Sequence, residues 1–297
     1  WIPRYAYRII YFDSAESKKA YQEGTLTEAD AVAQKKIIGY SDSRGIVDAQ
    51  GKKIADVAST TKTKVSEDYF MVHPAFINDV NNGGWDSELP GIWVGKYETS
   101  GTTSELKVQP GISSLRSQTI GNMYTYSYNY ARNLESHLLK NSEWGAVAYL
   151  TESKYGRNGT EITINNNGTT YYTGGGSGTA YITNVKQSST GNVYGIYDLS
   201  GNAFEYVAGY YNGSTSSNLT NYGGTFASKG GSSTKYATAY TGTSANSAYI
   251  YGDATYETKG WHSDYAYFVL SSVPFFRRGG YYGNSSDAGV FYFFYDN

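Results

Sequence analysis

The pattern of apolar and polar positions predicts short strands together with two main helices. Residues 5–12 are rich in aromatic and β-branched side chains, and apolar and polar residues alternate over residues 91–98. Both patterns are typical of strands. Helical spacing of apolar residues predicts helices over residues 118–137 and 141–150, with Asn141 at the N-cap of the second. A weaker pattern over residues 28–36 predicts a short helix.

Two long segments interrupt this pattern. Residues 153–192 and 210–248 are dominated by Asn, Gly, Ser and Thr, a composition that predicts loop or β-hairpin insertions. Residues 275–297 are expected to form short strands and turns. No fixed-period repeat is present, so we predict one α+β domain over residues 1–297.

Composition narrows the functional classes. The 297 residues include 33 Tyr, 35 Gly and no Cys, and only 17% of them are charged. Without Cys there is no disulfide, thiolate metal site or Cys nucleophile. The net charge of −2 argues against nucleic-acid binding. No apolar run approaches the roughly 18–20 residues that a membrane span needs.

The same composition suggests a location. Low charge with many Tyr, Gly, Ser and Asn residues is common in extracellular and surface proteins, and the mean hydropathy is −0.51. The chain begins at Trp1 without a signal peptide, so we expect it to be a trimmed or processed piece. Three isolated histidines, His73, His137 and His262, are interpreted as hydrogen-bonded structural or surface residues, because no carboxylate pair is placed to complete a metal site with them.

Four segments carry a family resemblance. Residues 194–207 (YGIYDLSGNAFEYV) resemble the "GLYDM-GN-WEW" signature of the formylglycine-generating-enzyme type of C-type lectin fold. Residues 91–98 are similar to the family's "MGKYEVT" strand, residues 141–150 to its "EAEWEYAA" helix, and residues 276–280 to its "RGGSW" strand. All four occur in the family's order. The resemblance implies an α+β C-type lectin fold with two helices and short, mostly antiparallel strands.

Within the signature segment, local geometry can be predicted. Gly201 suits a tight turn with positive φ. Phe204 and Tyr206 are expected to flank an outward-facing Glu205 on a buried strand. The resemblance also allows Glu205 and Asn202 to bind calcium, as equivalent residues do in some relatives, but structural bracing is the preferred interpretation.

The family's enzymatic activity is not expected here. Formylglycine generation needs a cysteine pair that holds the metal, and the related iron-dependent sulfoxide synthases need a histidine cluster. Neither set is present, and no hydrolase elbow or nucleotide-binding fingerprint occurs. We therefore predict a protein without catalytic activity and without a cofactor. An enzyme of the formylglycine-generating type is the less favoured alternative.

The chain is more similar to one subset of this fold, the variable proteins of diversity-generating retroelements. Residues 72–76, 91–98, 138–156 and 277–293 carry this similarity. In that subset, adenines of mostly Asn codons are randomised in a C-terminal variable region, which cannot produce Lys, Glu, Gln, Met or Trp. These five residue types fill roughly one position in seven of the chain, yet none occurs in residues 275–297.

The resemblance implies a ligand-binding site in this region. The family pattern keeps apolar residues at Val290, Phe291 and Phe293, so the resemblance assigns these three to the core and Tyr292, Phe294, Tyr295 and Asp296 to the exposed, varied set. The candidate ligand-binding residues are Phe275, Phe276, Tyr281, Gly283, Ser285, Asp287, Tyr292, Phe294, Tyr295 and Asp296.

The expected partner is a protein or glycan ligand bound at a cell or particle surface. Arg277 and Arg278 could bind a carboxylate or sugar at the rim of this site. The preferred interpretation is that one arginine braces the loop through backbone hydrogen bonds. A pilin-like or tail-fibre-like structural subunit is the alternative function, because aromatic residues in the tail could also pack against neighbouring subunits.

Overall fold

The computed structural model describes residues 1–7, 9–11, 14–27, 36–41, 46–47, 53–55, 63–65 and 71–297. These residues form a mixed structure of few helices and several small sheets, so the predicted α+β class is confirmed. Long stretches between the elements are turns and short 3₁₀-helices.

The α-helices of the described residues are short, and most 3₁₀-helices are single turns. The α-helices are α1 (Ala15–Gln22), α2 (Ile120–Tyr130), α3 (Asn141–Glu152), α4 (Asn218–Gly223) and α5 (Ala245–Ala248). The 3₁₀-helices are Pro74–Phe76, Val80–Asn82, Arg132–Leu134, Thr173–Gly175, Ala180–Ile182, Val185–Gln187, Tyr256–Thr258, Trp261–Ser263 and Tyr282–Asp287.

Helices α2 and α3 confirm the two predicted helices, with shifted ends. The Thr119 side chain caps α2 by accepting from the backbone N–H of Asn122. Helix α2 ends at Tyr130 because Ala131 adopts φ −149° and ψ 72°, which is not helical. The N-cap of α3 is Lys140, one residue earlier than predicted.

The strands are also short. They are β1 (Ile2–Pro3), β2 (Ala6–Tyr7), β3 (Ile9–Tyr11), β4 (Lys36–Ser41), β5 (Ile46–Val47), β6 (Lys53–Ala55), β7 (Thr63–Val65), β8 (Met71–Val72), β9 (Gly91–Ile92), β10 (Ser100–Thr102), β11 (Glu105–Lys107), β12 (Glu205–Tyr211), β13 (Thr238–Tyr240), β14 (Phe275–Arg278) and β15 (Phe293–Asp296). Their antiparallel pairs include β1 with β9, β2 with β8, and β3 with β4.

The largest sheet in the described part of the chain has the strand order β13-β12-β14-β15. Strand β12 pairs in parallel with β13 and antiparallel with β14, and β14 pairs antiparallel with β15. Strand β14 is therefore enclosed between two neighbours, whereas β15 lies at one edge. This sheet carries the sequence-predicted binding region.

Two hydrophobic clusters cover this sheet. The larger contains Trp144 of α3 together with Tyr240, Phe276 and Phe293. The smaller contains Ile120, Phe226 and Phe275. Helix α3 is buried almost throughout, which explains why its apolar pattern was readable in the sequence.

Several sequence predictions need correction. The strand predicted over 91–98 is only β9, because the residues after Ile92 are bends and irregular backbone. The described part of residues 153–192 contains three 3₁₀-helices and no strand, so the β-hairpin prediction is wrong there. Residues 210–248 are not a peripheral insertion, since β13 joins the central sheet. Of the predicted helix at 28–36, all but the last residue lie outside the described residues.

Candidate functional site: an aromatic patch and an acidic groove

Four aromatic rings lie together beside the edge of the central sheet. The Tyr267 ring centre lies 5.3 Å from that of Phe294 and 6.5 Å from that of Tyr295. The Tyr265 ring lies 5.9 Å from Tyr267. Tyr265 and Tyr267 are 40% and 52% exposed, and Phe294 and Tyr295 are half-buried. We call these four residues the C-terminal patch.

Phe294 and Tyr295 were among the residues predicted from the sequence, whereas Tyr265 and Tyr267 were missed. The backbone explains their position, because the Phe293 N–H donates to the Tyr265 carbonyl and the Tyr267 N–H donates to the Phe293 carbonyl, each at 2.9 Å. Residues 265–267 thus run beside the start of β15. The Tyr-Ala-Tyr alternation was a usable signal, since it places both tyrosines on one face.

Backbone and buried side-chain atoms anchor the segment that leads into β15. The indole Nε1 of Trp144 donates to the Val290 carbonyl at 2.7 Å. The Phe291 N–H donates to Asp264 Oδ2 at 2.9 Å. Val290 and Phe291 are 4% and 1% exposed, so their predicted place in the core is confirmed.

Phe275 and Phe276 are fully buried, which corrects their assignment to the binding surface. Both lie on β14, whose two neighbours and two covering clusters leave neither face open. The Phe275 ring lies 6.0 Å from Phe226 in the smaller cluster. The Phe276 ring lies 4.9 Å from Tyr240 in the larger cluster.

Tyr292 was expected on the exposed face but is only 2% exposed. The prediction is wrong because the resemblance placed residue 292 in the exposed set of a continuous strand, whereas β15 begins only at Phe293. The preceding residues form a turn that points the Tyr292 ring inward. It lies 5.9 Å from Phe204 and 6.3 Å from Phe294, beneath the patch.

The remaining candidates form a turn next to the patch. Tyr281 precedes the 3₁₀-helix that contains Gly283, Ser285 and Asp287. Gly283 and Ser285 are exposed, while Tyr281 and Asp287 are half-buried. The Tyr265 N–H donates to the Asp287 carbonyl at 3.1 Å, which brings this turn alongside the patch.

Arg277 and Asp296 form an ion pair at the border of the patch. Arg277 Nε lies 3.0 Å from Asp296 Oδ2, and the guanidinium lies 4.0 Å from the centre of the Phe204 ring. The Tyr206 hydroxyl donates to the same carboxylate at 2.5 Å. Burial, followed by this contact, raises the pKa of Tyr206. The pair therefore orients both strands at the rim.

Arg278 has a structural role. It is fully buried, and its Nη2 donates to the Ala254 carbonyl at 2.9 Å. Burial lowers the pKa of Arg278 to about 10. The preferred interpretation that one arginine braces the loop through a backbone hydrogen bond is confirmed for Arg278.

A groove of about 1130 Å³ begins at this rim. Arg277, Tyr281 and Asp296 line its C-terminal end, and residues 91–99 and helix α2 line its length. Large apolar side chains are exposed along the groove, among them Trp93, which is 81% exposed, and Tyr130, which is 57% exposed. Its volume is slightly larger than the roughly 300–1,000 Å³ of small-molecule sites.

Three carboxyl groups lie together at the floor of the groove, those of Glu98, Asp198 and Glu205. Glu98 Oε2 accepts a hydrogen bond from Asn202 Nδ2 at 2.6 Å, and Glu98 Oε1 accepts one from the Ala203 N–H at 3.1 Å. Glu98 and Glu205 lie within hydrogen-bonding reach of each other. We call these three residues the acidic floor.

Glu205 does not face outward as predicted. Its Oε2 atom is buried without a hydrogen-bond partner, and a Cβ on Gly279 would lie 2.3 Å from that atom. Gly279 has φ +74°, so glycine is required there for both conformation and space. The predicted positive φ at Gly201 is confirmed at +82°.

The acidic floor retains protons more strongly than exposed carboxylates do. Burial raises the pKa of Asp198 to about 6. Burial, followed by the charge of Asp198, raises the pKa of Glu98, and burial followed by the charge of Glu98 raises that of Glu205. Buried like charges this close cannot all ionise without cost, so protons or a cation must balance them.

A buried ionic cluster also borders the groove, through His137 and Glu143. His137 Nε2 lies 2.9 Å from Glu143 Oε2, and Lys140 Nζ donates to the Gly84 carbonyl at 2.6 Å. Burial raises the pKa of Glu143, but the contact with His137 outweighs it and the net shift is downward. Burial lowers the pKa of Lys140 to about 8. The cluster fixes the start of α3.

The other two histidines also have structural contacts. The His73 Nδ1 accepts from the Ala75 N–H at 3.2 Å and caps a 3₁₀-helix. His262 Nε2 lies 2.9 Å from Glu152 Oε2. Within the described residues, no three His, Asp or Glu side chains are arranged to hold a metal ion.

Comparisons with known proteins identified no matching family model and no matching curated protein. In the ranges that the structure describes, no helix combines the length and apolarity needed to cross a membrane.

Proposed function

We propose that the chain is a non-catalytic ligand-binding protein of the retroelement variable type, built on a C-type lectin fold. The observation that carries the proposal is the C-terminal patch, in which Phe294 and Tyr295 gather with Tyr265 and Tyr267 on the surface. Asp296 borders these rings, and the turn with Ser285 and Asp287 lies alongside them.

Such a patch suits recognition of a partner. Aromatic rings offer a large contact area with only two side-chain torsions to immobilise, so ordering them costs little entropy. Ser285 and Asp287 add adaptable hydrogen bonds beside the rings. Clustered exposed aromatic side chains are also a recognised mark of interaction surfaces. We propose a protein or glycan ligand at the surface of a cell or particle.

The fold assignment is supported by how three of the four motif segments pack. Residues 194–207 lead into the central strand β12, and the FRRGG segment forms its antiparallel neighbour β14. The motif helix α3 packs against the C-terminal region through Trp144. Segments that share a motif order thus also share one core.

A triple variant tests the proposed site. The variant that combines Tyr267→Ala, Phe294→Ala and Tyr295→Ala loses most of the ring surface of the patch. Binding is measured by panning random-peptide libraries and by screening glycan arrays. The matched control replaces Tyr155 and Tyr194, which are 73% and 88% exposed elsewhere. We expect thermal unfolding to stay close to that of the parent in both variants, and binding to be lost only in the patch variant.

The proposal would be contradicted if the patch variant still bound the ligands selected with the parent protein, or if the parent protein bound none of the peptides and glycans. A DNA comparison tests the family assignment separately. A near-duplicate of the codons for residues 275–297 that differs only at adenines, next to a reverse-transcriptase gene, is expected. Without such a duplicate, the structural-subunit alternative would be favoured.

A further inference from the structure

Residues 261–264 form a strained turn just before the C-terminal patch. His262 has φ +54° and Ser263 has φ +70°, so two consecutive non-glycine residues adopt the left-handed backbone conformation. This conformation is unfavourable for such residues because Cβ lies too close to the following carbonyl oxygen. It persists only where surrounding contacts hold it in place. We call these four residues the 261–264 turn.

A histidine–carboxylate contact holds one side of the turn. His262 Nε2 lies 2.9 Å from Glu152 Oε2 at the end of α3, and Lys18 Nζ of α1 lies 3.4 Å from the other oxygen of the same carboxylate. The His262 ring also stacks on Phe291, with 6.0 Å between the ring centres. The side chains of His262 and Glu152 are 13% and 18% exposed, so dissolved ions screen their contact only weakly.

A buried carboxyl group holds the other side of the turn. Asp264 Oδ2 accepts a hydrogen bond from the Phe291 N–H at 2.9 Å, whereas Asp264 Oδ1 is buried without a hydrogen-bond partner. A Cβ on Gly289 would lie 2.3 Å from both oxygens, so the backbone of the C-terminal segment closes over this carboxyl group. Ionisation of a carboxyl enclosed in this way is unfavourable, because one charged oxygen would lack a donor.

Charged groups from several elements face the turn. His262 and Asp264 act on each other. The other charged groups that act on them are Lys18 of α1, Glu152 of α3, Arg278 of β14 and Glu161. With His262 protonated and Asp264 neutral, three cations face two ionised glutamates. After both residues lose their protons, two cations face three carboxylates, so the charge of the cluster changes sign.

Both titrations stabilise the turn in the same pH range. Burial lowers the pKa of His262, but the contact with Glu152 outweighs burial and the net shift is upward. Burial raises the pKa of Asp264 to about 7. Both groups therefore bind their protons more tightly in the closed turn than in an opened one. The turn is stable at low pH and is weakened as the pH rises through the two raised pKa values.

The turn continues directly into the C-terminal patch. Tyr265 follows Asp264, and the Tyr265 carbonyl accepts from the Phe293 N–H at 2.9 Å. Asp264 also holds Phe291, which lies two residues before the start of β15. The position of the turn therefore determines how the two tyrosines of residues 265–267 lie against β15.

We propose that the 261–264 turn is a pH-sensitive latch, which holds the C-terminal patch assembled at mildly acidic pH and releases it at alkaline pH. In the released form, the strained backbone relaxes, the Asp264 carboxylate is hydrated and the Phe291 N–H loses its acceptor. A ligand that requires the assembled patch is then bound more weakly, in proportion to the fraction of protein that remains assembled. This regulation rests on the proposed ligand binding, whereas the opening of the turn can be measured without a ligand.

Hydrogen exchange of the Phe291 and Phe293 amides, measured by NMR at pH 6 and pH 8 and corrected for intrinsic exchange rates, tests the opening of the turn. In the parent protein we expect the protection of both amides to fall about tenfold as the pH rises, because Asp264 loses its proton in this interval. Asp264→Asn keeps an oxygen acceptor but cannot ionise, so the fall should shrink to less than about threefold. Asp198→Asn, which changes a buried carboxyl elsewhere, should keep the fall seen in the parent.

His262→Gln supplies a second variant, which decides the matter if Asp264→Asn does not fold. It removes the contact with Glu152 and should lower the protection of the Phe291 amide at pH 6 but not at pH 8. Equal protection at the two pH values in the parent protein would overturn the inference. So would an equal fall in the parent and in Asp264→Asn, or an equal effect of His262→Gln at both pH values.

A peptide selected on the parent protein at pH 6 tests the link between the turn and the patch. We expect its affinity to fall at least about fivefold between pH 6 and pH 8 in the parent, and to stay within about twofold in Asp264→Asn. An unchanged affinity in the parent, despite falling protection, would overturn the regulatory role of the turn. Failure to select any peptide would contradict the proposed function alone, because hydrogen exchange reports on the turn independently.

Discussion

Replacing Asp198 with Asn probes the electrostatics of the acidic floor through the free energy of unfolding. Asp198 is 1% exposed, and its carboxylate accepts hydrogen bonds from the Gly174 N–H at 2.9 Å and from Asn165 Nδ2 at 3.0 Å. Burial nevertheless raises its pKa from 3.8 to about 6. The folded state thus binds this proton more tightly than the unfolded state does.

The sign follows from proton linkage. The stability that Asp198 contributes is fully present below pH 3.8 and is lost as the pH rises through about 6. Each unit of pKa difference corresponds to about 1.4 kcal/mol, so the loss amounts to about 3 kcal/mol over the whole transition, of which about 2 kcal/mol falls between pH 4 and pH 7. The raised pKa values of Glu98 and Glu205 act in the same direction.

Urea denaturation at several pH values between 4 and 7, followed by tryptophan fluorescence, measures this effect. We expect the difference in unfolding free energy between Asp198→Asn and the parent to shift by about 2 kcal/mol in favour of the variant as the pH rises from 4 to 7. Glu105→Gln, on an exposed hairpin with a 74% exposed side chain, should keep a constant difference. A constant difference for Asp198→Asn would refute the assignment of the raised pKa.

Three further predictions concern the scaffold. Gly279→Ala and Gly230→Ala both place a Cβ atom at positive φ, which lowers the unfolding free energy by on the order of 1 kcal/mol, but only at residue 279 does the new atom also contact Glu205. We therefore expect Gly279→Ala to lower the unfolding free energy at least about twice as much in urea denaturation. Equal decreases for the two variants would contradict the close contact. Phe293→Ala removes a fully buried ring and should cost about 3–5 kcal/mol of unfolding free energy; a loss below about 1 kcal/mol would show that the ring is not core. Burial lowers the pKa of His262, but contact with a carboxylate of α3 outweighs it and raises the pKa, so the stability of this pair is present below pH 6.5 and lost as the pH rises through the raised pKa. His262→Gln should therefore lower the melting temperature more at pH 6 than at pH 9.

Local features of this fold were readable from the sequence where one pattern decided the structure. Helix α3 carries an apolar pattern because it is buried on nearly every side, and Gly201 marks a turn that needs positive φ. These predictions depend on short-range chemistry, which the sequence displays directly.

Long-range packing was not readable in the same way. The parallel pairing of β12 with β13 places part of a polar, low-complexity segment in the central sheet, and no local pattern encodes that partner. Glu205 was predicted to face outward because strand alternation places it opposite Phe204 and Tyr206. The structure instead places it beside Glu98, a residue more than a hundred positions earlier in the chain.

The anchoring of the C-terminal segment has a consequence for how freely its residues can be exchanged. The segment is held in place by hydrogen bonds from the backbone carbonyl and N–H groups of Val290, Phe291 and Phe293. Every amino acid except proline supplies both of these backbone groups. The side chains of Phe294 and Tyr295 take no part in these bonds. Substitutions at those two positions can therefore change the chemistry of the surface while the backbone of the strand keeps its conformation. The residues that tolerate exchange are thus different from the groups that maintain the structure.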